Sequence, residues 1–161
     1  MGDGAPVGDM LPDAAARIVE VGGKEVTARE ATAEGQIAMT PEACARLVAG
    51  TPKGDPLEAA RIAGLMAVKR TPDLLPFCHP VRVTGAEVRV EPDAEAGTIR
   101  VRAVVRGIDR TGFEMEALTA CAVACLSLYD TAKAYDRAAV VGELRLLAKS
   151  GGASGDYAAS S

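Results

Sequence analysis

His79 is the only histidine in the chain, and it follows Cys78 in the stretch KRTPDLLPFCHP, residues 69–80, where three prolines stiffen a loop. An imidazole titrates near neutral pH, so on such a loop, close behind Lys69-Arg70, it is a candidate for moving a proton on an anionic ligand. The plain alternative is a hydrogen-bonded structural histidine. Lys53-Gly54-Asp55 stands immediately before a helix start, where free backbone N–H groups and the positive helix end also favour an anion. Without such a ligand, Lys53 is a solvated lysine beside an ordinary N-cap. Glu114-Met115-Glu116 opens a long helical pattern, and Asp130 and Lys133 sit three apart near its far end. These two are either a surface ion pair or an acid and a base held against a ligand, and spacing does not choose between the readings. Lys149-Ser150-Gly151-Gly152-Ala153-Ser154-Gly155 follows a strand, which suits either backbone cradling of a phosphate or a flexible exit into a tail.

Several chemistries lack their residues. No G-x-G-x-x-G, H-E-x-x-H or G-x-S-x-G pattern occurs, so dehydrogenase, zinc-protease and hydrolase readings have no support. None of the four cysteines forms a C-x-x-C pair; Cys121 and Cys125, four apart in an alanine-rich run, read as small packing residues. A metal site at Cys78-His79 is disfavoured because adjacent side chains rarely converge on one ion. Lysine plus arginine total 18 against 22 acidic residues, a formal charge of −4, so no global positive field draws in nucleic acid. With 3% aromatic residues and no tryptophan, base-stacking platforms are absent too. No stretch reads as a signal peptide or a membrane-spanning run, and the expectation is a cytoplasmic protein with reduced thiols and no membrane partner.

The elements that must hold these groups follow from local signals. Residues 1–17 and 153–161, rich in Gly, Ala, Asp, Pro and Ser without periodicity, read as a disordered N-terminal tail and a mobile C-terminal tail around a single domain, 18–152. A strand over 33–39 ends at Thr40-Pro41, which caps and starts a helix stopping at Gly50. Asp55-Pro56-Leu57-Glu58 is a second helix start with a capping-box pattern. That helix places Ile62, Leu65, Met66 and Lys69 at helical spacing until Thr71-Pro72 breaks it. Strands over 81–90 and 98–106 flank a hairpin loop, 91–97. In the second strand Ile99, Val101, Ala103 and Val105 alternate with Arg100, Arg102, Val104 and Arg106. A helix over 113–135, able to turn Leu118, Ala122, Cys125, Leu128, Tyr129 and Ala132 to a core, precedes a strand over 140–147. This order predicts an α+β fold, a two-layer ferredoxin-like sandwich of an antiparallel sheet with helices on one face.

Helix geometry constrains any site along 113–135. At ~1.5 Å per residue, Glu116 and Asp130 stand roughly 21 Å apart along one helix. A single small molecule does not span that, so if both ends work, the site is either very long or assembled from two subunits. The small residues Ala117, Ala120, Cys121, Ala122, Ala124 and Cys125 would permit close helix approach in such a pair.

Taken together, KGDPLEAARIAG, LLPFCHP, TGFEMEALTA, YDTAK at 129–133 and LLAKSGG resemble the cyclic pyranopterin monophosphate synthases of molybdenum cofactor biosynthesis, in that family's order over about 20–156. The resemblance implies a lyase that takes 3′,8-cyclised dihydroguanosine triphosphate, rebuilds it as a cyclic pyranopterin monophosphate and releases pyrophosphate. It implies catalytic roles for Lys53, Asp130 and Lys133, and substrate contacts at Phe77, Cys78, His79, Met115 and Glu116. Lys69, Glu114, Lys149 and Arg29 match further site positions. It also implies a hexamer, a trimer of dimers with sites between subunits. No resident cofactor is implied, and whether Mg²⁺ accompanies the triphosphate stays open. The alternative is a module that binds a nucleotide triphosphate without turning it over. The chain departs from the family at Val19-Glu20-Val21-Gly22, which stands for Val-Asp-Val-Ser. It has Phe77 for leucine and Arg110 for lysine.

Overall fold

Alternation of small apolar and polar residues makes the first strand, β1 (Thr27–Ala38), bury Ala31, Ala33 and Ile37 on one face and turn Glu30, Thr32, Glu34 and Gln36 to the other. The computed structural model describes residues 16–160. Of the expected N-terminal tail, only Ala16 and Arg17 fall within them, exposed and outside any regular element. β1 begins six residues earlier than the sequence predicts, because residues 27–32 pair with β3 (Thr98–Asp109) and residues 30–32 also with β4 (Val140–Ser150). Paired neighbours override the weak strand preference of Ala, Arg and Glu at 28–31.

Local caps set the helix starts as expected. In α1 (Pro41–Ala49), Thr40 Oγ1 accepts from the Ala43 amide at 3.2 Å, and Gly50 closes the helix at φ 86°. α2 (Pro56–Leu74) starts on Asp55, whose Oδ1 accepts from the amides of Leu57 and Glu58 at 2.9 and 3.2 Å. Glu58 turns forward to Arg61 at 2.9 Å. The expected break at Thr71-Pro72 does not occur. Pro72 forfeits one bond in a last turn that is otherwise closed, by Thr71 Oγ1 to the Ala67 carbonyl and the Leu75 amide to the Thr71 carbonyl.

β2 (Val83–Asp93) and β3 form a hairpin whose turn is 94–97, shorter than the predicted loop. Pro92 is tolerated within β2 because that strand lies at the sheet edge. Ile99, Val101, Ala103 and Val105 are fully buried, and the arginines between them face out, as the alternation predicts. α3 (Glu114–Ala132) then leads to β4, and a two-residue strand, β5 (Tyr157–Ala158), pairs with Ala148 and Lys149. The sheet therefore runs on into the segment read from sequence as a mobile tail. The strand order β2-β3-β1-β4-β5 is antiparallel throughout, the order of a ferredoxin-like α+β sandwich.

The core lies between one sheet face and helices α2 and α3. The opposite sheet face carries ion pairs, Arg106 with Glu30, and Arg102 and Arg145 with Glu34 at 3.6 and 2.9 Å. Leu128, Cys125 and Ala132 enter the core as expected, whereas Leu118, Ala122 and Tyr129 are half-buried at its margin. The small residues Ala117, Ala120, Cys121, Ala124 and Cys125 are spent inside the chain. A Cβ on Gly64 of α2 would stand 3.1 Å from the Ala120 carbonyl and 3.1 Å from both Val88 methyls, so that glycine sets how closely α2 meets α3. The buried side of α2 is Ala60, Gly64, Ala67, Val68 and Thr71. Its larger residues Ile62, Leu65 and Met66 lie on the outside, 50, 37 and 60% exposed.

Candidate functional site

Candidate residues gather at two ends of α3. At its N-terminal end, Arg29 of β1 and Lys149 of β4 sit on adjacent strands, with Lys149 opposite Ala31. They line a cavity of about 110 Å³ with Lys24, Arg110, Glu30 and Glu114. Lys149 Nζ is 3.0 Å from Glu114 Oε1 and 3.3 Å from Ser154 Oγ. Arg29 donates from Nε to the Asp109 carbonyl at 3.2 Å and from Nη2 to the Arg110 carbonyl at 3.1 Å. Four cations against two carboxylates give this cavity an excess of positive charge, which suits a multiply charged anion. In the glycine run one backbone donor is already engaged within the chain. Gly151 N–H is taken by Asp156 Oδ1 at 3.1 Å, and Gly152, at φ 85°, leaves room for Arg29, since a Cβ there would collide with Nη1.

A second cavity, about 280 Å³, shares Thr111, Gly112 and Glu114 with the first and is lined by Phe77, Cys78, His79, Val81, Met115 and Glu116. Phe77 and Met115 are exposed, 58 and 41%. Glu116, in the first turn of α3, is 1% exposed. Its Oε1 accepts from the Cys78 thiol at 3.7 Å, and its Oε2 has no hydrogen-bond partner. Burial raises the Glu116 carboxyl above the ordinary range, with Glu114's charge adding to the rise. Burial first, and then the charge and hydrogen bond of Glu116, push Cys78 up to about 11. Cys78 is therefore a neutral donor near pH 7, not a thiolate nucleophile. His79 turns elsewhere, its Nε2 donating to the Val19 carbonyl at 2.6 Å, so the adjacent Cys78 and His79 side chains are engaged by different groups. Among the described residues no three His, Cys, Asp or Glu side chains are grouped to share a metal ion.

At the other end of α3, Asp130 and Lys133 form an exposed pair at 2.7 Å. Lys53, on the loop after α1, joins Asp130 in lining a cavity of about 180 Å³ with Thr51, Pro52, Thr131, Ala134 and Tyr135. The Lys133 hydrogen bond and charge hold Asp130 below its ordinary value, with a smaller contribution from Lys53's charge. The same bond raises Lys133. Lys133 is therefore held as a cation by the carboxylate beside it. Lys69 is exposed on α2 and lines none of these three cavities. Sequence reasoning missed Lys24 and Tyr135. Lys24 lies in an irregular segment with no spacing to mark it, and is drawn in by its carbonyl, which accepts from Arg110 Nε at 3.1 Å.

A family model described as the MoaC family matches residues 18–152. The chain is 54% identical over 147 residues to the cyclic pyranopterin monophosphate synthase of Parvibaculum lavamentivorans, covering 90% of this chain and 91% of that one. It is 52% identical over 143 residues to the protein of the same name from Roseiflexus sp., covering 88 and 90%. A third, from Brucella ovis, is 52% identical over 147 residues, covering 91 and 89%.

Proposed function

The chain belongs to the MoaC family, and on that premise we propose that it carries out the reaction for which its relatives are named. It is a lyase of molybdenum cofactor biosynthesis that converts 3′,8-cyclised dihydroguanosine triphosphate to cyclic pyranopterin monophosphate and pyrophosphate. The observation that carries this reading is the pair of joined cavities at the start of α3, one walled by Lys24, Arg29, Arg110 and Lys149, the other by Phe77, Cys78, His79, Met115 and Glu116. The first suits a triphosphate; the second suits a ring system with a hydrogen-bonding edge.

Within this reading Arg29 and Lys149 hold the triphosphate, and the substrate displaces Glu114 from Lys149. Lys69 serves the same anion only if it reaches it from another subunit, since it lines neither cavity. His79, whose Nε2 is held by the Val19 carbonyl, hydrogen-bonds the ligand through Nδ1. Asp130, kept ionised beside Lys133, accepts protons during ring opening, while Lys53 donates one to a leaving nitrogen or oxygen. The reaction is acid–base and electrostatic, with no resident cofactor; any Mg²⁺ enters with the triphosphate.

Asp130, whose cavity Lys53 also lines, lies roughly 21 Å by helix rise from Glu116. We therefore read the protein as a homo-oligomer, a hexamer built as a trimer of dimers, in which one subunit's far-end cluster completes its neighbour's cavities. The outward Ile62, Leu65 and Met66 of α2 and Leu126 of α3 offer apolar surface for such contacts. No helix among the described residues is long and apolar enough to cross a membrane, and we propose a cytoplasmic location for this biosynthetic role. Supplying the cyclised dihydro-GTP to purified protein tests the reading. Pyranopterin and pyrophosphate are expected in equal amounts; triphosphate binding without either product would leave a binding module instead.

A further inference from the structure

We infer that Asp109 is a positioning residue for the anion-binding end of the site, holding the Arg29 guanidinium in place through the backbone of residues 109–110. This rests on the reading of Arg29 and Lys149 as the groups that take the triphosphate. Asp109 ends β3, with its side chain 19% exposed. Its Oδ2 accepts from the Arg82 amide at 2.8 Å, three residues after His79, and its Oδ1 accepts from the Arg110 amide at 2.8 Å. One carboxylate thus clamps the strand entry that follows the Phe77–His79 loop to the loop that leads into Glu114–Glu116.

The same two residues present their carbonyls to Arg29. The Asp109 carbonyl takes Nε and the Arg110 carbonyl takes Nη2, at 3.2 and 3.1 Å, while Nη1 stands against Gly152. The Asp109 side chain thus fixes the peptide whose carbonyl takes Nε, and the Arg110 carbonyl that takes Nη2 follows on the next peptide along. Rotation of the 109–110 peptide would release Arg29 and, through Arg110, the Lys24 segment as well. The carboxylate suits the task because it stays charged. Burial raises it, but the Arg82 and Arg110 amides, and then the charges of those arginines, outweigh burial and hold it below its ordinary value.

Electrostatics and positioning make opposite forecasts for Asp109→Asn. Removing a negative charge beside a cationic cavity should by itself tighten an anion. Turning a donor NH₂ onto one of the two backbone N–H groups should loosen the 109–110 peptide and weaken it. The experiment titrates inorganic pyrophosphate calorimetrically into the assembled wild-type enzyme and the variants Arg29→Ala, Asp109→Asn, Asp109→Ala and Asp136→Asn. Asp136 is the control, a carboxylate that likewise accepts from two backbone amides, those of Thr40 and Ala138, at the other end of the fold. Expected is a weakening of about tenfold for Asp109→Asn, as is usual for groups that orient ligand-holding side chains. KM for the substrate should rise while kcat is kept, and Asp136→Asn should retain wild-type affinity. If Asp109→Ala does not fold, Asp109→Asn carries the test. Tighter or unchanged pyrophosphate binding in Asp109→Asn, or an equal loss in Asp136→Asn, overturns the inference. Unchanged affinity in Arg29→Ala overturns instead the assignment of the anion site on which it rests.

Discussion

Replacing Glu116 with glutamine should make the protein more stable and less active, with the stability gain growing as pH rises. Glu116 is 1% exposed, its Oε2 has no partner, and burial raises its carboxyl above the ordinary 4.5. A group whose folded-state value lies above its unfolded value stabilises fully below the unfolded value and loses that contribution as pH climbs through the folded one. At neutral pH the native state therefore carries the cost of an ionised or reluctantly protonated carboxyl. Glutamine keeps the volume and keeps Oε1 as acceptor for the Cys78 thiol, but carries no charge. An unsatisfied buried polar group costs on the order of 1–3 kcal/mol, and the amide leaves part of that cost in place. A gain of about 1 kcal/mol corresponds to a Tm rise of roughly 2–4 °C at this length. Thermal unfolding followed by circular dichroism between pH 4.5 and 8 should show the two proteins converging at the acid end and the variant pulling ahead towards pH 8. Cys78 supplies a second readout. Part of its rise to about 11 comes from Glu116, so alkylation at pH 8.5 should be faster in the variant, though burial keeps the thiol above its ordinary value. Turnover should fall, because Glu116 lines the cavity assigned to the ring system and glutamine removes its charge and proton there. A variant that melts lower than wild type at pH 8, or a Tm difference that does not change with pH, would refute the reasoning.

Other expectations address the two ends of α3. Lys53→Ala should abolish pyrophosphate release while leaving the oligomer intact on size-exclusion chromatography; near-normal turnover would remove Lys53 from the proton path. If sites form between subunits, co-refolding inactive Lys53→Ala with inactive Lys149→Ala should restore about a quarter of wild-type activity, since half the random pairs are mixed and each holds one intact site of two. No recovery in demonstrably mixed oligomers argues for sites within one chain. Gly152→Ala should lower Tm by a few degrees, because φ 85° is strained for alanine and its Cβ meets Arg29 Nη1. It should also weaken pyrophosphate binding, and a variant that binds it normally would show that Arg29 tolerates displacement.

Much of the fold was legible because its signals are local. Thr40-Pro41 and Asp55-Pro56 satisfy amides that no helix can satisfy for itself, and they mark their helix starts to the residue. The in–out alternation of 99–106 likewise reports a strand with one face in a core. Misplaced boundaries share a non-local cause. The early part of β1 is held by two partners, Glu91–Asp93 pair with β3 across the expected loop, and Tyr157–Ala158 finds an open edge on β4. None of those partners is visible in the segment's own residues.

The site divides in the same way. Residue types and order, in the blocks from Lys53 through Lys149, carried the family resemblance, and helix rise alone required Glu116 and Asp130 to stand apart. Packing decided the rest: that Ile62, Leu65 and Met66 face outward because Gly64 and Ala67 let α2 lie closer to α3, and that Glu116 is buried with a free oxygen while Asp130 is exposed. It also brought Lys24, Arg110 and Asp109 to Arg29. Caps, alternation and helix rise depend on a few neighbouring bonds, whereas burial and charge pairing depend on which distant surfaces meet, and only the folded chain brings those surfaces together.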